Sequence, residues 1–156
     1  MKKRWMILIK ENFKMKTSAR NTLKGTVVTV IDGAVNSEVT LRLESGVTVY
    51  AIVTIESARL LGLAPGKAAY ALIKSSWVIL TLADEKIITS ARNRLCGVVS
   101  RIEKGAVNTE VALDFGNDNT LVAIITNESQ NLLQFSIGSP ACALIKASNV
   151  LLAVDA

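Results

Sequence analysis

The feature that most constrains the fold is an internal repeat with a period of 72 residues. "TSARN" occurs at 17–21 and 89–93, "GAVN" at 33–36 and 105–108, and "ALIK" at 71–74 and 143–146. Aligned without a gap, 17–84 and 89–156 are identical at 32 of 68 positions. This self-similarity predicts two copies of one structural unit. The connector between them, "DEKII" at 84–88, is short and charged, which predicts that the two units pack on each other.

Each copy has the pattern of five short strands and one short helix. In the first copy, β-branched and alternating apolar residues predict strands at 23–31, 37–45, 47–54, 67–74 and 77–82. "IESARLLGL" predicts a helix, with Thr54 as its N-cap and Gly62 at its end. A helix after the third of five strands is typical of the Greek-key barrel of the OB type.

The sequence therefore predicts an all-β protein of two tandem OB-like five-stranded Greek-key barrels, each with one short helix. We assign an N-terminal extension to residues 1–14, the first unit to 15–84 and the second to 85–156. The extension is interpreted as either a segment before a true start at Met15 or a small extra strand. Units of this size bury limited surface, so we expect them to depend on neighbouring units and on further oligomerisation.

The amino-acid composition excludes several kinds of catalytic and metal site. The chain has no histidine, which excludes a Ser-His-Asp triad, a Cys-His pair and an imidazole metal site. With no evident nucleophile and base pair either, we do not expect an enzyme. The formal net charge of +5 fits an anionic partner, which could be nucleic acid, a membrane surface or a small oxyanion.

Cysteine usage and the N-terminus suggest a compartment. Cys96 and Cys142 are 46 residues apart among apolar residues and match no zinc or thioredoxin spacing, so we predict two buried, unpaired cysteines in a reducing compartment. The apolar run 5–9 ends at Lys10, shorter than the core of a signal peptide, and no cleavage site follows. No run reaches transmembrane length. We expect a cytoplasmic protein without a membrane partner.

Three polar clusters are repeated in both copies. They are Ser18 with Arg20, Thr54 with Ser57, and Lys74 followed by Ser75. A helix start offers free N–H groups, Arg offers forked donors and Lys a compact charge. Such a donor-rich, acceptor-poor set suits a fully deprotonated tetrahedral dianion and disfavours a monoprotonated phosphate. The matching residues of the second copy are Ser90, Arg92, Thr126, Ser129, Lys146 and Ala147.

Each cluster alone has an ordinary structural explanation. Thr54 and Ser57 suit a helix cap, Lys74 a solvated strand end, and Arg20 a surface or interface position. Trp77, which is matched by Asn149, is interpreted as a packing residue. The joint repetition of all three clusters favours the functional interpretation.

Taken in order, the motifs "SARN", "GAVN", "AIVT", "ES", "PG" and "ALIK" resemble the Mop domain of molbindins, the small molybdate-binding proteins. The resemblance covers 15–156, both repeats, and is that of a two-unit (di-Mop) chain. It implies an OB-like fold, a homotrimer of two-unit subunits, and oxyanion sites at interfaces between units. It implies molybdate or tungstate as ligand and no cofactor or directly bound metal ion.

The resemblance also implies the site residues. The family's "SARN" ligands match Ser18 and Arg20, and the hydroxyl pair at the helix start matches Thr54 and Ser57. The strand-end lysine matches Lys74, and the next residue, Ser75, binds through its backbone. The second set is Ser90, Arg92, Thr126, Ser129, Lys146 and Ala147. Because Ser18 begins the barrel and Lys74 ends its fourth strand, we expect the "TSARN" wall and the other walls to come from different units.

An alternative hypothesis is a nucleic-acid-binding OB module or a regulatory interaction module. The basic charge favours it, whereas the aromatic content of 4% disfavours it, since such modules stack bases on exposed aromatic rings. The molybdate-responsive regulators that share the Mop pair carry a winged helix-turn-helix domain before it. In this sequence 14–16 residues precede the first unit, so we do not expect direct DNA binding or a nucleic-acid partner from the resemblance.

Overall fold

The computed structural model describes residues 16–156, and the predicted N-terminal extension at 1–14 lies outside the described residues. In the first repeat the strands are β1 (Asn21–Asp32), β2 (Asn36–Leu43), β3 (Thr48–Thr54), β4 (Ala68–Ile73) and β5 (Ile79–Leu82). Helix α1 (Ile55–Leu60) follows β3, and a 3-10 turn, η1 (Ser75–Trp77), follows β4. The predicted order of strands and helix is confirmed.

The second repeat has the same order of elements. Its strands are β6 (Asn93–Lys104), β7 (Asn108–Asp114), β8 (Thr120–Thr126), β9 (Pro140–Ile145) and β10 (Leu151–Ala153). Helix α2 (Asn127–Leu133) follows β8, and a second 3-10 turn, η2 (Ala147–Asn149), follows β9. With two five-stranded sheets and two short helices in the described part of the chain, the all-β OB-like prediction is confirmed.

The first strand of each repeat is long and strongly bent. Its apolar residues alternate inward, and the pairing register shifts between Val27 and Thr29 in β1 and between Val99 and Arg101 in β6. A glycine precedes each bend. A Cβ on Gly97 would lie 2.2 Å from the carbonyl oxygen of Asp114, so only glycine permits this close approach of β6 to β7. Bulge and glycine together curl the sheet around its core.

The last strand of each repeat completes the other repeat's sheet. The strand orders are β10-β4-β1-β2-β3 and β5-β9-β6-β7-β8. Leu151 in β10 lies opposite Leu72, and Ile79 in β5 lies opposite Leu144. The sequence repeats meet at 84–85, but the sheets exchange strands across that boundary. This crossover holds the two units together by backbone hydrogen bonds as well as by side-chain packing.

Two buried asparagines reinforce the exchange. The side-chain amide of Asn93 donates to the carbonyl oxygen of Tyr50 at 2.8 Å and accepts from the N–H of Tyr50 at 2.7 Å. Asn21 makes the same pair of bonds to Val122, at 2.8 and 2.7 Å. Each amide therefore pairs with the backbone of the other repeat's outermost strand, β3 or β8, as a further strand would. We name these contacts the asparagine clasps.

The two repeats share one hydrophobic core. Its buried residues come from both, including Leu41 and Ile73 of the first and Leu113 and Ile145 of the second. Within 16–156, no helix is long and apolar enough to cross a membrane.

The prediction of two buried, unpaired cysteines is wrong, since Cys142 is buried but Cys96 is exposed, and the cysteines no longer indicate a reducing compartment. Cys96 in β6 and Cys142 in β9 are joined by a disulfide. The reason is the pairing register, which sets these two residues directly opposite each other on neighbouring strands. In the first repeat the matching positions hold Lys24 and Tyr70, with the Lys24 ammonium 5.9 Å from the ring centroid. The same cross-strand position is thus closed by a covalent bond in one repeat and by a cation–π contact in the other.

Candidate functional site

Strand pairing brings each "TSARN" segment to the same end of a sheet as the strand-end lysine. The first residue of β6 pairs with the last residue of β9, Asn93 with Ile145, and Asn21 pairs likewise with Ile73. Ser90 and Lys146 therefore line one cavity of about 330 Å³. Trp77 and Asn149, from the two 3-10 turns, form part of its wall.

Ser90 and Lys146 thus lie together within a single chain, and the expectation that the "TSARN" wall and the other walls of an anion site come from different units stays a prediction about further copies. Both belong to the second repeat, and the physical reason is the antiparallel pairing of the first and fourth strands, which places the start of one beside the end of the other. The cavity nevertheless contains parts of both repeats, because Trp77 and Ile79 enter it from the first.

Both candidate arginines form ion pairs that cross between repeats. The guanidinium of Arg20 lies 2.5 Å from a carboxylate oxygen of Glu110, and that of Arg92 lies 2.9 Å from Glu38. Arg92 also stacks on Tyr50, with its guanidinium carbon 4.5 Å from the ring centroid. A guanidinium has five N–H donors, so one carboxylate leaves donors for a second anion. The arginines therefore link the repeats and keep donors for an anion, although Arg92 is not among the residues that line the cavity of Ser90 and Lys146.

The two ion pairs differ in their surroundings. Glu110 also accepts from Arg101 at 2.5 Å, and Arg101 in turn lies 3.0 Å from Glu103. The hydrogen bond from Arg101 lowers the pKa of Glu110, burial of the carboxylate opposes that shift, and Arg20 lowers it further. The same contacts raise the pKa of Arg101. Glu110 therefore stays ionised in the folded protein to a lower pH than an unpaired glutamate.

The hydroxyl pair caps helix α1. Thr54 Oγ1 accepts a hydrogen bond from the N–H of Ser57 at 3.0 Å, and its own O–H donates to Ser57 Oγ at 2.8 Å. Thr126 and Ser129 repeat this at 3.0 and 2.9 Å. The predicted N-caps are confirmed. Because each threonine proton is used inside the cap, the serine hydroxyl keeps its own proton to donate elsewhere.

The first hydroxyl pair lies in a different cavity from Ser90. Thr54 and Ser57 line a cavity of about 430 Å³ together with Ser148 and Leu151 of the second repeat. Here the helix of one repeat meets the 3-10 turn of the other. Turn η2 lies between the two cavities, since Lys146 lines one and Ser148 the other. A single chain thus brings "TSARN" to the lysine but keeps Thr54 and Ser57 apart from them.

Ser75 and Ala147 begin the two 3-10 turns, and both are buried. The first hydrogen bond of each turn is donated by its third residue, from Trp77 N–H to Lys74 and from Asn149 N–H to Lys146. The turn itself therefore does not use the N–H groups of Ser75 and Ala147. These residues can contribute only backbone donors from a buried position, or in the case of Ser75 its hydroxyl.

Several residues around the candidate site were not predicted from the sequence, and of these Trp77 lines a cavity. Glu38 and Glu110 hold the arginines, Asn21 and Asn93 form the clasps, and Trp77 forms a cavity wall. The glutamates and asparagines could have been found from the sequence, since the two repeats have the same residue at each of these positions. Trp77 and Tyr50 carried none, because their matching positions hold Asn149 and Val122. Among residues 16–156, no three potential metal ligands of the His, Cys, Asp and Glu types cluster together.

Comparison with known proteins agrees with this geometry. The TOBE domain model matches residues 17–80 and again 89–152. A solved structure of the cytoplasmic molybdate-binding protein ModG, with molybdate bound, superposes with a TM-score of 0.88 at 46% identity. The match covers 90% of this chain and 100% of that one.

Curated relatives match over the same region. The molybdenum-pterin-binding protein MopA of Rhodobacter capsulatus is 48% identical over 140 residues, covering 90% of this chain and 53% of the relative. The DNA-binding transcriptional dual regulator ModE of Escherichia coli (strain K12) is 35% identical over 143 residues, with 90% and 53% covered. The chain spans about half the length of the curated relatives it matches. It belongs to the TOBE domain family, in the tandem two-unit form that the resemblance to di-Mop molbindins predicted.

Proposed function

We propose that this chain is a non-catalytic molybdate-binding protein, able to take tungstate by the same chemistry, that stores and buffers the oxyanion in the cytoplasm. The observation that carries the proposal is the cavity shared by Ser90 and Lys146, in a chain 46% identical to a molybdate-bound ModG. The cytoplasmic location rests on that relative, since ModG is a cytoplasmic protein.

The chemistry of the site follows from charge and protons. Molybdate is a tetrahedral dianion at neutral pH, so it needs positive charge and hydrogen-bond donors and no acceptor. Arg92 and Lys146 supply the charge, and Ser90 and the backbone N–H of Ala147 supply donors. Ser18, Arg20, Lys74 and Ser75 do the same in the first repeat. A monoprotonated phosphate would have to place its proton against these donors, which lowers its affinity.

We further propose that the sites are completed in a homotrimer. The single chain separates Thr54 and Ser57 from the "TSARN" cavity, so their hydroxyls meet an anion held there only if another copy supplies them. Exposed apolar residues support an assembly that covers them, since the side chains of Leu60 in α1 and Leu132 in α2 are 85% and 83% exposed.

Isothermal titration of the full chain with molybdate, sulfate and phosphate tests the proposal. We expect binding of molybdate, little or no heat with phosphate, and at least tenfold weaker binding of sulfate. The double variant Arg20→Ala with Arg92→Ala is expected to lose most molybdate binding, because it removes a guanidinium from every site.

A control variant removes one positive charge elsewhere and leaves the two cavities of the candidate site unchanged. Arg42→Ala removes an exposed arginine on the outer face, and its molybdate affinity should stay within about twofold of the wild type. The absence of heat with molybdate, or equal affinity for sulfate, would contradict the proposed function. Retained binding in the double arginine variant would contradict the arginine assignment.

A regulatory function is the second candidate, and the ModE relatives favour it. An electrophoretic mobility shift with duplex and single-stranded DNA, with and without molybdate, tests it. Salt-dependent binding of either DNA by the full chain would favour the regulatory function over storage.

A further inference from the structure

The two "TSARN" segments differ in their aromatic neighbours. Tyr50 stacks under Arg92, and Trp77 forms a wall of the cavity that holds Ser90 and Lys146. Both aromatic residues belong to the first repeat and serve the second repeat's segment. The matching positions of the second repeat are Val122 and Asn149, so the first repeat's segment has no aromatic ring at either place. In a chain with seven aromatic residues, two of them beside one segment is a marked asymmetry.

Tyr50 affects the arginine. Both arginines already have a carboxylate partner, at 2.5 Å for Arg20 and 2.9 Å for Arg92, although Glu110 also pairs with Arg101. The Tyr50 ring, whose centroid lies 4.5 Å from the guanidinium carbon of Arg92, distinguishes this arginine from Arg20. A guanidinium stacked on an aromatic face keeps its orientation. An oriented guanidinium loses less conformational freedom when an anion binds, and that favours affinity.

Trp77 affects the two lysines in opposite ways. The ammonium of Lys74 lies 5.8 Å from the Trp77 ring centroid, so Lys74 must give up a cation–π contact before it can turn fully to an anion. Within 16–156, no aromatic ring lies over Lys146, which faces the cavity that Trp77 helps enclose. The indole also gives that cavity an apolar wall, and a lower local dielectric beside it strengthens attraction between Lys146 and an anion.

We propose that the two candidate oxyanion sites are unequal, and that Tyr50 and Trp77 are the positioning residues that make the Ser90, Arg92 and Lys146 site the tighter one. This inference rests on the proposed function and adds to it a built-in affinity difference. A two-unit chain of this kind fills one site at low oxyanion concentration and the other at higher concentration. A buffer with two affinities works over a wider concentration range than one with a single affinity.

Titration of the full chain with sodium molybdate tests the inference. The wild type should show two classes of "TSARN" site whose dissociation constants differ by about tenfold, the size expected from one or two cation–π contacts. Lys146→Ala should remove the tight class and leave the weak one, and Lys74→Ala should do the reverse. These single variants decide the assignment even if an aromatic variant fails to fold.

The aromatic residues are tested by exchange with the residues at the matching positions. Tyr50→Val combined with Trp77→Asn should bring the two dissociation constants to within about threefold. Tyr50→Phe combined with Trp77→Phe keeps both ring faces and should restore the two classes, a rescue that a merely structural role in folding would not single out. Tyr70→Val is the control, since it removes a ring that lies over Lys24 on the outer face, away from the cavity.

The outcomes separate this inference from the proposed function. No heat with molybdate in the wild type overturns the proposed function itself. Molybdate binding with a single class of site overturns only the inequality. Two classes that persist unchanged in a folded Tyr50→Val, Trp77→Asn variant, or a tight class lost in Lys74→Ala, overturn the role of the aromatic residues.

Discussion

Glu110 shows how a single side chain can connect the repeats and a candidate site. It accepts from Arg20 of the first repeat and from Arg101 of its own sheet, whereas its counterpart Glu38 pairs with Arg92. The difference arises because Arg101 occupies a position that is Thr29 in the first repeat. One substitution between the copies therefore turns an isolated ion pair into a network, and networks contribute more than isolated surface pairs.

This network predicts a pH-dependent contribution to stability. Since the pKa of Glu110 is lower in the folded protein than its ordinary value of 4.5, the ionised carboxylate stabilises the fold at all pH values above that ordinary value. The stabilisation is lost as the pH falls through the lowered pKa. Glu110→Gln should therefore reduce the free energy of unfolding by about 1 kcal/mol at pH 7. The difference from the wild type should shrink steadily below pH 4.5.

Urea unfolding of both proteins at a series of pH values measures this difference. Glu103→Gln is the matched control, because Glu103 meets Arg101 at 3.0 Å but its side chain is 66% exposed, so its effect should be smaller. A difference between Glu110→Gln and the wild type that does not change from pH 7 to pH 3 would count against the network.

At the scale of elements, the asparagine clasps explain why "TSARN" ends in asparagine. β3 and β8 are the outermost strands of their sheets, and an outermost strand leaves backbone groups unpaired. Asn93 supplies one donor and one acceptor to Tyr50 of β3, and its own side chain is almost fully buried. Only an amide side chain offers both groups in this geometry. The repeated "TSARN" motif is therefore partly structural, because its asparagine forms the clasp, while its serine and arginine are available to the candidate site.

Asn93→Ala should destabilise the protein without abolishing the fold. The variant leaves the N–H and carbonyl oxygen of Tyr50 without partners, and unsatisfied buried backbone groups cost about 1–3 kcal/mol. Chemical denaturation followed by circular dichroism measures the loss. Asn131→Ala is the control, since that exposed helical asparagine should change stability by less than about 0.5 kcal/mol. Equal stability of the two variants would show that the clasp contributes nothing.

The elements themselves could be predicted from sequence, whereas their partners could not. The alternation of Leu23, Val27, Val39 and Leu41 indicated buried strand faces, and Thr54 marked the start of the helix. No local signal showed that β5 and β10 change places, because "ILTL" and "LLAV" have the same pattern and either can complete either sheet. The disulfide was missed for a related reason, since only the register of β6 against β9 brings two cysteines 46 residues apart together.

The sequence predicted which residues form the candidate site better than it predicted how they are arranged. Repetition identified Ser90 and Lys146, and the structure places them in one cavity. That these two residues of one repeat line the same cavity was not foreseen, because chain order suggested opposite ends of the barrel. Tyr50 and Trp77 were not predicted because the candidate residues were those identical in both repeats. The second repeat has Val122 and Asn149 at these two positions. A contact that only one of the two copies makes cannot be found by looking for residues that are identical in both.

For the whole molecule, the exchanged strands make the two repeats one folding unit. Each sheet lacks its fifth strand until the other repeat supplies it, and the buried residues of both form one core. Neither repeat can therefore be removed without opening an edge on the other. Cooperative unfolding in a single transition is the natural consequence for a core shared in this way.

A fragment of residues 16–84 should accordingly associate in pairs. It contains β1 to β4 and its own β5, but in the full chain β10 fills the place beside β4. A second copy can fill that place with its β5, so two fragments that exchange this strand reproduce both sheets. Sedimentation equilibrium should give an even-numbered assembly. A fragment ending at residue 78 lacks β5 and should be largely unfolded by circular dichroism. A stable, folded monomer of 16–84 would show instead that β5 folds back on its own sheet and that the exchange is not required.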